Sequence, residues 1–502
     1  MEKHLIKKGL VITVIILFIC LSITPSTAFD NVKKSFTPVS NGNTLYVGGT
    51  GPNNYTRIQD AIDNASDGDT VFVYDESSPY YENVTINKSI ILLGEDKNST
   101  IINAIDYYPV VIISAEGVKI SGFTITKGRY YGIEVCSDFV TIFDNIIDSN
   151  SYFGEGITIA SSHNNVSYNS FYQNGLAISS NSNQNLVYNN TVNNKPLVYY
   201  ENKSDLIIGG DNGQIILLSC NNIFIKNQTI SKAGIGIYLS NTYSCFISNN
   251  TISDNWRGIC LFDSSYNNTI SDNNLTNNHN IEIYGSSNDN IISNNNINSS
   301  FSGINIIFES CNNIVSNNSI TSCNEHGICI RESCNYNLIS RNTVSGNGYG
   351  ISVDNSKRNI ISNNTILKNE YGANLWGSKD NIISYNIISQ NSDGVSIDNG
   401  CVKNKVFRNN ISNNGRDGVV VSFCFLNSIY CNNIYGSGNQ DAYMFNFGIL
   451  FYTNRWDRNY WGRPPFPFLP PIPIFGIWRL MLYYEFKWFV FDWHPAKEPY
   501  DI

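Results

Sequence analysis

The sequence predicts an all-β chain wound as a single parallel β-helix of about fifteen coils, with three short strands in each coil. Three observations carry this. A phrase whose best copies read Ser-x-Asn-x-Ile-x-x-Asn-x-Ile, then Gly-Ile, returns fourteen times at intervals of 21 to 24 residues, with one longer gap. Its second Asn falls at Asn145, Asn169 and Asn190, then from Asn250 and Asn273 onward to Asn409 and Asn432, with Phe123 and Gln228 in the same slot of two other copies. Within each copy β-branched residues alternate with polar ones, the two-residue period of a strand. The composition fits: roughly 15% of residues are Asn, far above ordinary usage, and charged residues make up only 15%.

A repeat array can run to 502 residues as one unit. The net charge of −9 offers no basic stripe to neutralise phosphates, which excludes a nucleic-acid partner.

Residues 1–28 read as a signal peptide: Lys3, Lys7 and Lys8, an apolar run from Leu10 to Leu21, then Ser26-Thr27-Ala28 as a cleavage site. Cleavage near Ala28 implies a secreted, cell-surface or periplasmic protein, with an uncleaved anchor as the alternative. Residues 29–44 form a linker. Residues 45–114 hold a capping helix and the first coils. Thr56 to Ala65 places Ile58, Ala61, Ile62 and Ala65 at helical spacing, Thr56 with Gln59 fits a capping box, and Asp67-Gly68 supplies a stop. A helix laid there covers strand edges that would otherwise invite stacking.

Residues 115–435 carry the repeats. Around Asn295 the strands centre on Ile292, Ile297 and Ile304–Ile306, with each Ile inward. No hairpin joins sequence neighbours, so each strand pairs in parallel with its counterpart one coil on, ~4.8 Å away. A second slot reads Ser265, Ser287, Ser310, Cys334, Ser356, all small, as a tight interior corner demands. The Asn slots are expected at turns where left-handed backbone is cheap for Asn and stacked amides bond coil to coil. The insertion 193–222 is expected to be a coil with a projecting extra strand pair. Residues 436–502, with Pro464 to Pro473 and an aromatic segment, form a strap over the open end or an attachment tail. Arg479, Glu485 and Lys487 interrupt that segment, so no transmembrane span is expected in the mature chain.

The chain resembles the NosD-like family of secreted right-handed parallel β-helix proteins, within the pectin-lyase-like superfold. The resemblance rests on Ile58-Gln59-Asp60-Ala61-Ile62 with Asp67-Gly68-Asp69-Thr70, Tyr81-Glu82-Asn83-Val84 to Gly94, Lys195-Pro196, the Asn-rich coils and Trp456-Asp457 to Trp461. It implies the handedness, a periplasmic or surface location, and either carbohydrate binding or a part in copper-site maturation.

Copper favours Cys, Met and His. Cys323, His326 and Cys329 are the best local cluster, yet no Cys-x-x-Cys occurs and buried structural thiols are the competing explanation. Eleven cysteines follow the leader, an odd number, and reduced thiols are expected. For sugar chemistry, the last position of each Gly-Ile-x-Ile-z strand reads Phe262, Tyr284, Ile307, Arg331, Asp354, Trp376, Asp398, Ser422 down successive coils. Tyr284, Arg331, Asp354, Trp376 and Asp398 are therefore candidate carbohydrate contacts, with an ordinary solvated face as the alternative. Asp354 and Asp398, two coils or ~9.6 Å apart, have the spacing of an inverting acid–base pair. No Asn-Thr-Asp or Arg-Ile-Lys motif of the hydrolases on this superfold is present. The expectation is thus a non-catalytic exported monomer that binds a polysaccharide, a surface glycan or a protein partner. A carbohydrate-active enzyme and a copper-related accessory factor are the alternatives.

Overall fold

A computed structural model describes residues 42–105, 108–148, 154–447, 454–462, 472–480 and 484–502. The expected signal peptide and its cleavage site lie outside these residues. The described chain is a right-handed parallel β-solenoid of about 17 turns with a single α-helix. The sequence-based count of fifteen is slightly low.

The helix, α1, spans Ile58–Asn64 and buries Ile58, Ala61 and Ile62. It is shorter than expected, and the Thr56–Gln59 capping box does not form. Arg57 holds the N-cap position without a side-chain hydrogen bond. The Glu82 carboxylate from the next coil accepts instead, from the N–H groups of Ile58 at 2.8 Å and Gln59 at 3.0 Å. At the other end Lys88 Nζ donates to the carbonyls of Ile62, Asp63 and Ala65. Both sets of orphan helix groups are met from the neighbouring coil.

Strands stack in register. Thr44–Val47 pairs in parallel with Thr70–Val73, which pairs with Ile91–Gly94. This first sheet continues to Leu186–Tyr188, and in a neighbouring sheet of the same coils Ser170–Tyr172 pairs in parallel with Thr191–Val192. The insertion then departs from the expected projection. Lys195–Glu201 turns back antiparallel on Thr191–Val192 but pairs in parallel with Gln214–Leu218. Ser204–Ile208 pairs in parallel with Asn221–Lys226. The segment is a two-strand coil inside the stack, because Leu197 and Ile208 bury their side chains in the common core. Gln214 bridges the joint: Leu176 N–H donates to its Oε1 at 3.0 Å, and its Nε2 donates to the carbonyls of Leu176 and Ile235, each at 2.9 Å.

Beyond the joint each coil has a long strand, such as Tyr349–Asp354, then a second strand, Ile360–Ser362, and a third, Thr365–Leu367. Ile292, Ile297, Ile304 and Ile306 point inward and are fully buried. Between the strands run polar columns. Asn318 N–H and Nδ2 donate to Asn342 Oδ1 at 2.9 and 3.0 Å, and Asn342 repeats the pattern onto Asn364. These Asn residues do not take the left-handed backbone. The residue before each does, whatever its type: Asn317, Arg341, Asn363 and Tyr385 have φ of 57°, 58°, 57° and 57°. The small slot is also more than a tight corner. Ser287 N–H donates to Ser310 Oγ, Ser310 N–H to Cys334 Sγ, and Cys334 N–H to Ser356 Oγ, at 3.1 to 3.2 Å. Ser and Cys share it because each is small and can accept.

At the C-terminal end Ile472–Leu480 and Tyr484–Asp492 form an antiparallel hairpin, and its first strand pairs in parallel with Gln440–Phe447. Among the described residues no helix is long and apolar enough to cross a membrane.

Candidate functional site

Three positions of each long strand face outward. In Tyr349–Asp354 they are Tyr349, Ser352 and Asp354, and the parallel register repeats them coil by coil. The last position runs Tyr284, Ile307, Arg331, Asp354, Trp376, Asp398, Ser422 on consecutive rungs. Trp376 therefore stands between Asp354 and Asp398, with Arg331 beyond Asp354. Tyr284 lies two rungs further, against Phe308 at a ring separation of 4.8 Å, beside a cavity of about 470 Å³ that Glu309 and Glu332 also line. It belongs to a neighbouring surface and not to the Asp354–Asp398 group.

The middle position runs Cys329, Ser352, Asn374, Ser396 and is buried although it faces outward. The outer surface is thus a trough with a closed floor and two raised margins. Trp376 is 47% exposed, while Asp354 and Asp398 are half-buried.

The second margin is one the sequence reading missed. His326, Tyr349 and Tyr371 stack at 4.9 and 4.8 Å with interplanar angles of 25° and 12°. Arg416 closes one end, its guanidinium carbon 5.8 Å from the Tyr371 ring centre and its Nε 3.1 Å from Asp393 Oδ1. The signal was present in the repeated pairs Tyr349-Gly350 and Tyr371-Gly372, which mark the first position of the long strand.

Burial pushes the Asp354 carboxyl up to about 6, against the pull of Arg331. Its Oδ1 is hidden and without a hydrogen-bond partner. Burial raises Asp398 as well, opposed by the hydroxyls of Ser396, which donates to its Oδ2, and Ser422. A carboxyl kept partly neutral can donate a hydrogen bond as well as accept one. Beside a flat, part-exposed indole, that suits a ligand with hydroxyls around an apolar ring face.

The candidate copper ligands are not brought together. Cys323 sits in an interior column normally held by Asn, its N–H donating to Asn347 Oδ1 at 2.8 Å. Cys329 lies on the trough floor, and His326 Nδ1 is 3.2 Å from Ser352 Oγ. Burial pushes both thiols up to about 12 and the imidazole down to about 4. Metal binding needs thiolate, and among the described residues no three His, Cys, Asp or Glu side chains form a group able to hold a metal ion.

Compared with known proteins, the sequence matches the family described as periplasmic copper-binding protein (NosD) over residues 204–343 and 326–464. This chain belongs to the NosD family. Residues 27–192 match the right-handed β-helix region family. The copper of the NosD description thus has no donor set that fits among the described residues of this member. No curated protein matches. Solved structures similar to the chain include the A-module of the Azotobacter vinelandii mannuronan C-5 epimerase AlgE6, 14% identical over 81% of this chain and 94% of that one, TM-score 0.34. The periplasmic alginate epimerase AlgG is 12% identical over 78% and 76%, TM-score 0.31. The Dettilon tailspike protein is 14% identical over 80% and 68%, TM-score 0.33.

Proposed function

We propose that this NosD-family chain is an exported, non-catalytic β-helix that binds carbohydrate along the long-strand trough. The observation that carries the reading is the exposed Trp376 indole held between the half-buried carboxyls of Asp354 and Asp398, facing the His326–Tyr349–Tyr371 stack. The indole supplies a stacking surface, and the carboxyls supply partners for ring hydroxyls. Export is supported by the basic, apolar and small-residue order of residues 1–28 and by the periplasmic description of the family.

The test is binding to a panel of neutral and acidic polysaccharides. Trp376→Ala is expected to weaken binding at least tenfold, a loss of about 1.4 kcal/mol, with the fold unchanged. Retention of full affinity in that variant would remove the trough from the reading. A second reading follows from the raised Asp354 carboxyl, two rungs from Asp398: an acid–base pair acting on the same ligand. Release of new reducing ends, abolished in Asp354→Asn, would replace binding alone with hydrolysis.

A further inference from the structure

The second-strand sheet carries a face that nothing in the trough explains. Its first outward column runs from Phe246 through Ile291, Ile314 and Ile360 to Ile382, interrupted by Thr269, in unbroken parallel register. Phe246, Ile291, Ile314 and Ile360 are 40%, 39%, 37% and 39% exposed. The other outward column of the same seven strands is serine throughout, from Ser248 to Ser384. No charge occurs in either column over seven coils. Lysine then ends the pattern on both sides: Lys226 takes the serine slot one coil before, and Lys405 the aliphatic slot one coil after. An uncharged ridge beside an uncharged furrow, bounded by lysines, is a face shaped for one partner and guarded beyond its limits.

We propose that this face pairs with the same face of a second copy, forming a side-by-side dimer of parallel rods related by a two-fold axis along the rod. The geometry selects that axis. Rotation about the rod direction exchanges the columns, so the aliphatic ridge of one copy seats in the serine furrow of the other. A two-fold across the rods would set ridge on ridge. Because the rotation keeps every coil at its own height, the identical repeats of the two copies match without a register search. The flanking turns agree. The residue two before each second strand meets, across the axis, the residue just after it, which gives Asp289 with Asn294, Tyr336 with Arg341, Arg358 with Asn363, and Asp380 with Tyr385. No like charges face each other within the face. One coil beyond Ile382 the same rule sets Lys403 against Arg408, and the contact stops there.

Seven rungs at ~4.8 Å, about 20 Å wide with the flanking turns, cover roughly 700 Å² per copy, close to the ~800 Å² of a standard stable interface. The dimer leaves the trough free on each rod, so two trough sites ride on one particle and a polymeric ligand gains by avidity. It replaces the sequence-based expectation of a monomer, and it stands whether or not the trough binds sugar.

The test is the mass of the full chain by light scattering, with small-angle scattering for its shape. The expected result is twice 56.2 kDa, the maximum dimension of a single rod and a widened cross-section. Ile314→Lys places a charge on the ridge and Ser316→Tyr fills the furrow. Each is expected to weaken dimerisation at least a hundredfold while circular dichroism and melting stay as in the parent. Since both side chains point outward, neither change disturbs the core. A monomer at tens of micromolar, a dimer of doubled length, or a dimer indifferent to both variants overturns the proposal. So does a monomer that uses this face for lipid vesicles or a polysaccharide and loses that binding in Ile314→Lys.

Discussion

The two ends of the solenoid are closed by the same chemistry with opposite urgency. At the N-terminal end Glu82 accepts from two N–H groups of α1. At the C-terminal end the fully buried Asp492 accepts from Arg458 N–H, Asn459 N–H, Asn459 Nδ2, Trp461 Nε1 and His494 N–H, at 2.8 to 3.3 Å. The difference lies in the direction of the asparagine column. Within its two runs, Asn145 to Asn169 and Asn250 to Asn432, each backbone N–H and Nδ2 donates to the Oδ1 one coil later, and at the insertion Asn190 Nδ2 turns instead to the carbonyls of Val166 and Tyr188. The first rung therefore needs no amide: Phe123 fills that slot, and its N–H donates to Asn145 Oδ1 at 3.1 Å. The last rung, Asn459, is left with two donors and no following coil. Those donors need an acceptor, and the Asp492 carboxylate supplies it. This column begins without an amide and closes on a carboxylate, whereas the neighbouring one ends at Asn454, whose Nδ2 donates to the Cys424 carbonyl.

That asymmetry can be broken most severely at Asp492. Asp492→Ala orphans several buried donors at once, for a cost of ~3–5 kcal/mol. Asp492→Asn keeps an acceptor but turns a second donor toward Trp461 and Asn459, and is expected to fall between. Hydrogen exchange is the suitable measurement, because a repeat array opens locally and a single unfolding free energy is ill-defined. Protection should fall at Asn459 and Asn432 and hold at Asn295. Uniform loss along the whole array would show that the terminator acts on global stability instead of on the last coils.

The N-terminal counterpart is Glu82→Ala, a smaller loss of ~1–2 kcal/mol, the ordinary size of a helix N-cap. Here Lys88 still holds the other end of α1, and the strand Thr70–Val73 keeps its own ladder. Fraying confined to residues 42–65 is expected. Should Glu82→Ala and Asp492→Ala destabilise their ends equally, the directional account of the column fails.

Much of this was legible in the repeat. The period gave the parallel register, and the Ile positions gave the core, because burial acts identically on every coil. The asparagine slot was visible, but its cause was half misread. Arg341 and Tyr385 adopt the left-handed turn as readily as Asn317 does, so hydrogen bonding, not turn preference, keeps Asn in the column. The cap of α1 escaped because Glu82 lies 24 residues from Ile58 and no local pattern joins them. Asp492 escaped for the same reason: its role exists only after the hairpin has folded back. In the candidate site, Arg331, Asp354, Trp376 and Asp398 could be aligned by counting. The opposing margin required knowing that the long strand has three outward positions, of which the middle one is buried.

A third carboxyl sharpens the contrast between the ends, because it lacks what both caps have. Asp354 is half-buried, but its Oδ1 has no donor, and burial pushes its pKa from 3.8 to about 6. The sign of the linkage follows. Between those values the folded chain holds more protons than the unfolded chain, so stability falls as pH rises from 3.8 to about 6. A shift of that size corresponds to ~3 kcal/mol, but the side chain is part-exposed and screened, which leaves about 1 kcal/mol. Asp354→Asn should therefore stabilise the surrounding coils by about 1 kcal/mol at pH 7 and leave them nearly unchanged at pH 4. Hydrogen exchange over the surrounding coils, in parent and variant at the two pH values, makes the comparison, and parallel pH profiles would show that Asp354 is solvated. If the trough binds a sugar as proposed, the same carboxyl, able to donate a hydrogen bond only while protonated, is expected to make that binding pH-dependent near 6, and Asp354→Asn is expected to abolish the dependence. Glu82 and Asp492 are held by donors from the fold, whereas the hidden Asp354 Oδ1 has none, and it is that missing donor which leaves burial to set the carboxyl's pKa.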